Sequence, residues 1–289
     1  MQCFIPSKDR PAQLHLLLES IRHNCPKGLF DKITILYKST DFEYEDGYSL
    51  VKRRFQDLPL IWQRDSGDFY RDFVKWMGRC DDNLMCGICD DCLFYRPLPL
   101  AAKQHIDETM SDDSIYCFAF RLGFNTNLQY YITGQKQRQL SDLQNVIVAD
   151  DWHNGVIKWN WKIRKDTDNY GYGFSLDGHI YRTKEMLSLT KKYPTDCLRN
   201  LEGVIAGKIR NETNIGNMMA GFFQSCLYST PFNCCQSPPL ISGQKYPYSL
   251  EYLNNLYLRG YIIDYYSIQK TNVDFSHNEM PLTFMEYHG

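Results

Sequence analysis

The stretch CGICDDCLFYRP, residues 86–97, holds two kinds of metal-binding side chain in one place. Cys86, Cys89 and Cys92 have the close spacing of thiolate ligands for zinc or an iron–sulfur cluster, whereas Asp90 and Asp91 offer the oxygen that Mg2+ or Mn2+ prefers. A thiolate site needs the segment to be a loop, with Cys80 as a possible fourth ligand. After Cys92 no cysteine follows until Cys117, so the usual cluster run is incomplete. If LMCGIC (84–89) is a strand, Cys86 and Cys89 face opposite ways and cannot converge on one ion. That reading leaves the cysteines as small buried thiols and gives the chemistry to the carboxylates. A strand continued through Asp90 and Asp91 turns them to opposite faces, so one ligates a cation while the other meets a sugar hydroxyl or a supporting group. A solvated turn carrying two acids is the alternative.

The elements that must position these acids are legible from pattern. Short β-favouring runs QCFI (2–5), ITILY (33–37), LIWQ (60–63), LMCGIC (84–89) and IYCFAFRL (115–122) alternate with helix-like stretches. The first of these, PAQLHLLLESIRHN (11–24), has Pro11 at a first helical position and Leu14, Leu17, Leu18 and Ile21 on one face. Others follow around 47–55, 69–77 and 100–110. This order predicts an α/β fold with a mainly parallel sheet flanked by helices. Ligands of such sheets bind outside the carboxyl ends of the strands. There the chain carries PSKDR (6–10), KST (38–40), RDS (64–66) and the two aspartates, which would form one site.

Later segments are less regular. DDWHNGVIKWNWKI (150–163) reads as a loop over the site, GFSLDGHIYR (173–182) as a strand and turn, and residues 196–210 and 249–260 as helical. Trp152, Trp159 and Trp161 could stack on sugar rings or belong to the core. No repeat or low-complexity linker interrupts the chain, which favours one continuous domain.

Composition narrows the function classes. Thirty-two basic against 34 acidic residues give a net charge of −2, so no polybasic groove for nucleic acid is expected. The hydrophobic fraction of 43% can fill a large core, and aromatic residues reach 15%, with 21 tyrosines. No apolar run approaches the ~20 residues of a membrane span, and the first residues lack a signal-peptide core, so a soluble cytoplasmic chain is expected. Eleven cysteines spread over 289 residues are unlike a secreted disulfide scaffold. Neither G-x-G-x-x-G after the first run nor G-x-x-x-x-G-K-[ST] occurs, so dinucleotide and P-loop chemistry are disfavoured.

With the acids after the fourth strand, the chain resembles the GT-A fold glycosyltransferases, in particular their family-2-like, nucleotide-sugar-dependent members. IPSKDRPAQLHLLLESI is similar to their opening strand, donor loop and first helix, CDDCLFYRP to their DxD-type acidic motif, FAFRLGFNT to the segment that follows, and FSLDGHIYR to the strand and turn near the sugar. The resemblance implies a nucleotide-sugar-binding part over 1–125, and an acceptor-binding and C-terminal part of the same domain over 126–289. The implied cofactor is Mn2+ or Mg2+. The donor is a nucleotide-diphosphate sugar, a UDP-sugar being favoured, and the acceptor is a hydroxyl of a glycan, lipid or protein.

By this resemblance Asp90 contacts the donor ribose and Asp91 the metal, while Pro6, Ser7, Lys8 and Arg10 surround the nucleotide. Arg64, Asp65, Arg121 and the Asp177, Gly178, His179 turn complete the donor pocket. YKSTD stands where many relatives have paired acids on the base, leaving the nucleotide open, with Ser39 or Asp41 in that place. Cys92 stands where some relatives have a third aspartate, so a distant ligand is needed, and His277 in DFSHNEMPLTF is implied. Glu202, in NLEGVIAG, corresponds to the general base of inverting relatives, ahead of Asp150 or Asp151, and inversion is the expected outcome. The rival readings are a nucleotide-sugar-forming nucleotidyltransferase, disfavoured by the glycine-free PSKDRP loop, a non-catalytic glycan- or nucleotide-binding module, and a thiolate-metal protein.

Overall fold

The computed structural model describes residues 1–126, 128–130, 137–139, 147–148, 155–165, 169–233, 243, 245–246, 248–269 and 273–288. The strands are β1 (Gln2–Lys8), β2 (Lys32–Lys38), β3 (Leu60–Arg64), β4 (Leu84–Gly87), β5 (Cys92–Phe94), β6 (Ile115–Ala119), β7 (Leu128–Tyr130), β8 (Gln137–Gln139), β9 (Ile147–Val148), β10 (Val156–Asn160), β11 (His179–Arg182), β12 (Met218–Phe222), β13 (Leu227–Ser229), β14 (Tyr261–Ile263) and β15 (Phe284–Glu286). The helices are α1 (Pro11–Asn24), α2 (Phe42–Arg54), α3 (Phe69–Met77), α4 (Ala102–Met110), α5 (Thr183–Lys192), α6 (Leu198–Ile209), α7 (Leu250–Leu258) and α8 (Tyr265–Gln269).

Nine strands form one sheet in the order β3-β2-β1-β4-β11-β6-β12-β10-β9. The first four run parallel, β11 is antiparallel to both its neighbours, and β12 is parallel to β6. The mainly parallel α/β sheet flanked by helices is therefore the observed architecture. Side-chain alternation divides the core into two layers. Cys3, Ile5, Ile35, Cys86, Phe118 and Ile180 pack with α1, α2 and α4 on one face. Phe4, Leu36, Met85, Cys117 and Tyr181 pack with α3, α5 and α6 on the other.

Two local features prepare the site. Pro6 lies within the central strand β1, where a missing N–H normally disrupts pairing. The β4 partnership ends at Phe4 opposite Gly87, with the Ile88 N–H donating to the Phe4 carbonyl (3.0 Å). Pro6, two residues on, faces the side that β4 has left, so its missing donor costs no ladder bond. Asp41 caps α2 by accepting from the Tyr44 N–H at 3.1 Å, and this is why the helix begins five residues before the apolar pattern shows it.

The tryptophan segment differs from its sequence reading. Residues 156–160 are strand β10, not a loop over the site. Trp159 and Trp161 are fully buried and donate their indole N–H to the carbonyls of Tyr170 (2.8 Å) and Gly216 (3.0 Å). They are core residues and cannot stack on an acceptor sugar. Trp152, Asp150 and Asp151 lie outside the described residues.

Candidate functional site

Strand β4 stops at Gly87 because the backbone of the next layer approaches there. A Cβ on Gly87 would meet Leu176 Cδ2 at 2.4 Å, and the Gly87 carbonyl accepts from the Gly178 N–H at 2.8 Å. Ile88 and Cys89 lead out of the strand, and Asp90 and Asp91 form a turn closed by the Cys92 N–H donating to the Cys89 carbonyl (3.0 Å). The expectation of a strand through Cys89 and the acids is thereby corrected. Alternation does not apply in the turn, and both carboxylates converge on Arg10, whose Nη1 donates to Asp90 Oδ1 (3.0 Å) and Asp91 Oδ2 (3.2 Å).

Arg10 is itself anchored. Its Nε donates to Asn233 Oδ1 at 3.1 Å and its Nη2 to the Asn233 carbonyl. The preceding Asp9 has φ +56°, and this left-handed backbone is held by the Asp9 N–H donating to the Lys38 carbonyl (3.0 Å) and by Asp9 Oδ1 accepting from the Thr40 N–H (2.7 Å). Asp90 is a buried ion-pair partner with side-chain exposure of 6%, against 9% for Arg10. Burial raises its carboxyl to about 6, with Arg10 opposing and Asp91 reinforcing the rise. Its Oδ2 is buried and has no hydrogen-bond partner.

The turn before β11 brings in a second group. Gly178 has φ +72°, and a side chain there would also press on Leu227 Cδ2 at 2.9 Å. Asp177 Oδ2 accepts from Arg121 Nη1 at 2.7 Å. Burial works against ionisation of Asp177, but Arg121, followed by His277, more than reverses this and holds the carboxyl below its ordinary value. His179 is buried on β11, and its Nδ1 lies 3.1 Å from the Asp177 carbonyl, which can only accept, so Nδ1 carries the proton. Burial, then the Arg121 charge, lowers His179 to about 3, so its ring is neutral.

Glu202 reaches this turn from α6. Its Oε1 accepts from the Leu176 N–H at 2.7 Å. Burial, then the Asp177 charge, pushes Glu202 up to about 7, a value suited to a base near neutrality. His277 arrives by a relay of backbone pairing. β5, which follows the aspartate turn, pairs with β13; Ser229 of β13 bridges His277, and the Thr230 N–H donates to the Asp91 carbonyl at 2.8 Å. Burial lowers the His277 imidazole against the pull of Asp177, and its Nε2 is buried without a hydrogen-bond partner.

Asp91, Arg121, Asp177, Glu202 and His277 are thus neighbours, although they come from five separated segments. The ligand atoms of Cys89, Asp91 and Asp177 lie within 4.8 Å of one another. Two carboxylates within that distance are donors that fit Mn2+ or Mg2+, while His277 lies outside the group. The other expected donor residues stand further along the strand ends. Pro6 and Lys8 are half-buried, and the Ser7 and Tyr48 hydroxyls share a hydrogen bond of 2.8 Å. Ser39 donates to Glu45 Oε2 (2.5 Å) and accepts from Arg64 Nη2 (3.3 Å), while Asp65 Oδ1 accepts from the Gly67 N–H (2.7 Å). Ser39 and Arg64 belong to a network at the ends of β2 and β3 that is centred on Glu45, and Asp65 is tied to β2 by its N–H donating to the Tyr37 carbonyl at 2.8 Å.

Sequence reasoning missed Asn233 and the ligand geometry of Cys89. Nothing in PFNCC signals a clamp for a residue 223 positions away. Cys89 was visible in the motif but was set aside by a strand that ends two residues earlier.

No family model and no curated protein sequence matches the chain. Among solved structures it is similar to residues 1–349 of S. aureus TarS, a GT-A family glycosyltransferase, in complex with UDP-GlcNAc. That similarity has a TM-score of 0.49 at 12% identity, over 86% of this chain and 62% of that one. The UDP complex of the same protein gives a TM-score of 0.48 at 13% identity, over 80% and 61% of the two chains. A 4-diphosphocytidyl-2C-methyl-D-erythritol synthase from Anaerococcus prevotii gives 0.35 at 9% identity, over 69% of this chain and 80% of that chain. The chain therefore spans less than two thirds of the TarS structures it resembles. Among the described residues no helix is long and apolar enough to cross a membrane.

Proposed function

We propose that the chain is a metal-dependent, inverting glycosyltransferase that moves a sugar from a nucleotide-diphosphate donor to a hydroxyl acceptor. The observation that carries this reading is the convergence of Asp91, Asp177, Arg121, Glu202 and His277 at the carboxyl-end rim of the parallel strands, where α/β sheets bind ligands. Asp91 and His277 would hold Mn2+ or Mg2+, whose charge stabilises a departing diphosphate. Glu202 takes the acceptor hydroxyl proton as the new bond forms to the anomeric carbon, while the bond from that carbon to the diphosphate oxygen breaks. Attack from the face opposite the leaving group inverts the centre.

Asp90 offers its unpartnered oxygen to the donor ribose, and Pro6, Ser7, Lys8 and Arg10 line the nucleotide side. Ser39, Arg64 and Asp65 lie toward the base, and Gly178 and His179 shape the sugar side. In this reading residues 1–125 hold the donor, 126–289 serve the acceptor, nucleic acid is not a partner, and the enzyme works in the cytoplasm.

The test is a thermal-shift screen of UDP-, GDP- and dTDP-sugars with and without Mn2+, on wild type and Asp91→Ala. UDP-GlcNAc, held by one TarS structure, is the first donor to try. A metal-dependent shift confined to one nucleotide and lost in the variant supports the proposal. No shift with any donor in a folded protein overturns it.

A further inference from the structure

The carboxylates of the cation site share it with a thiol. Cys89 Sγ and one oxygen each of Asp91 and Asp177 lie within 4.8 Å of one another. Ligands at about 2.0–2.3 Å from a common ion are at most about 4.6 Å apart, so small side-chain rotations bring all three onto one centre. Arg10 and Arg121 each donate to the Oδ2 atom of one of the two carboxylates, Asp91 and Asp177 respectively. The thiol itself is held in place, because the Cys89 carbonyl closes the aspartate turn.

A second observation points to the same ligand. His277 is bridged to Ser229, whose neighbour Thr230 donates its N–H to the Asp91 carbonyl at 2.8 Å, and the His277 Nε2 is buried with no hydrogen-bond partner. A buried imidazole nitrogen left without a partner costs free energy unless something binds there. Sulfur and two carboxylate oxygens make three donors of the types that bind zinc, with His277 outside the group whose ligand atoms lie within 4.8 Å of one another. The neighbouring Cys86 and Cys92 are packed in the apolar layer under α1 and do not join this group.

We propose that Cys89 is a ligand of this centre, together with Asp91 and Asp177, and that the site takes a thiophilic divalent ion, Zn2+ or Cd2+, in competition with Mn2+. The inference rests on the reading that this cluster is the cation site of the donor cleft. Ligation replaces the thiol proton, which passes to solvent, by a metal–sulfur bond, and nothing is oxidised or reduced. A thiolate favours Zn2+ or Cd2+ far more than Mn2+, which oxygen and imidazole ligands satisfy. Cys89 is therefore the residue that sets metal preference.

The test uses the whole chain, freed of metal by a chelator and titrated with Cd2+, reading the sulfur-to-cadmium charge-transfer absorption in the ultraviolet. One equivalent should develop a band that Mn2+ suppresses and that Cys89→Ser and Asp91→Asn abolish. Zn2+ affinity, read against a chromogenic chelator, should fall at least about tenfold in Cys89→Ser while Mn2+ affinity stays nearly unchanged. A band that survives in Cys89→Ser, or that Mn2+ in large excess leaves unchanged, overturns the proposal. Metal-free thermal unfolding establishes that the variants fold. Should Cys89→Ser not fold, protection of Cys89 from alkylation by bound Zn2+ in the wild type, located by mass spectrometry, decides the question. No sugar nucleotide enters these measurements, so a chain that binds cadmium through Cys89 but no donor would retire the transferase reading alone.

Discussion

Glu202 and Asp90 are carboxyls whose protons are held more tightly in the fold than in the open chain, and this fixes the sign of their linkage. Glu202 rises from 4.5 to about 7 and Asp90 from 3.8 to about 6, with burial as the main cause of both. The stability each contributes is complete below its ordinary value and is lost as pH climbs to its folded value. Asp177, held low, acts in the opposite sense, adding stability that is lost only as pH falls below its ordinary 3.8. The buried neutral histidines His15 and His179, lowered to about 3, add the opposite slope below their ordinary 6.5, so the carboxyl effect is read as a difference: metal-free wild type should lose stability relative to Glu202→Gln between about pH 5 and about pH 8 in urea unfolding. That difference should accrue between about pH 5 and pH 7, while Asp90, only half titrated at about pH 6, contributes alike to both proteins. An unchanged slope would show that Glu202 is solvated. Arg10 provides a second test at this scale. Replacing it with Met strands the buried Asp90 and leaves Asn233 Oδ1 with only Gln13 Nε2 as a donor, which should cost about 3–5 kcal/mol in urea titration. Adding Asp90→Asn should recover part of that loss, because the stranded charge is gone.

At the scale of elements, the two glycines near Glu202 should behave oppositely. Gly178 has φ +72° and Leu227 2.9 Å from any added Cβ, so Gly178→Ala should destabilise by about 1–2 kcal/mol from backbone alone, and loosen the Asp177 turn as well. Gly207 lies inside α6 with open space around it, so Gly207→Ala should stabilise by about 0.5–1 kcal/mol. Thermal unfolding of the pair shows whether the turn carries the strain assigned to it. The same contrast explains what the sequence could disclose. α1 was legible to the residue because Pro11 and the Leu14, Leu17, Leu18, Ile21 stripe are local signals. β10 was read as a loop because its tryptophans carry hydroxyl-free, ambiguous bulk, and only the Tyr170 and Gly216 carbonyls decide their fate. The insertion of β11 between β4 and β6 has no periodicity of its own, and the approach of His277 to Asp91 depends on a β5, β13 relay of three-residue strands too short to announce themselves. The acids, Glu202 and His277 were identifiable as residues; their meeting was a property of strand order.

At the scale of the whole molecule, strand order also determines what can fold alone. β4 and β6 both belong to the first 125 residues, yet they do not touch as neighbours, because β11 pairs with each of them. Removing everything after residue 126 leaves two facing edges of unpaired backbone. It also strips Met85, Cys117 and Ala119 of the layer formed by Phe174, Tyr181 and α6. An isolated parallel sheet with one face covered only in part, by α3, lacks both its hydrogen-bond partners and much of its apolar cover. Residues 1–126 expressed alone should therefore aggregate or give a collapsed amide proton spectrum, and addition of residues 127–289 during refolding should restore dispersion and a cooperative thermal transition. A dispersed spectrum and cooperative melting for residues 1–126 alone would mean that the donor half is a self-sufficient unit. The assembly of Asp91, Asp177 and His277 would then be a docking event between two folded parts instead of a consequence of completing one sheet.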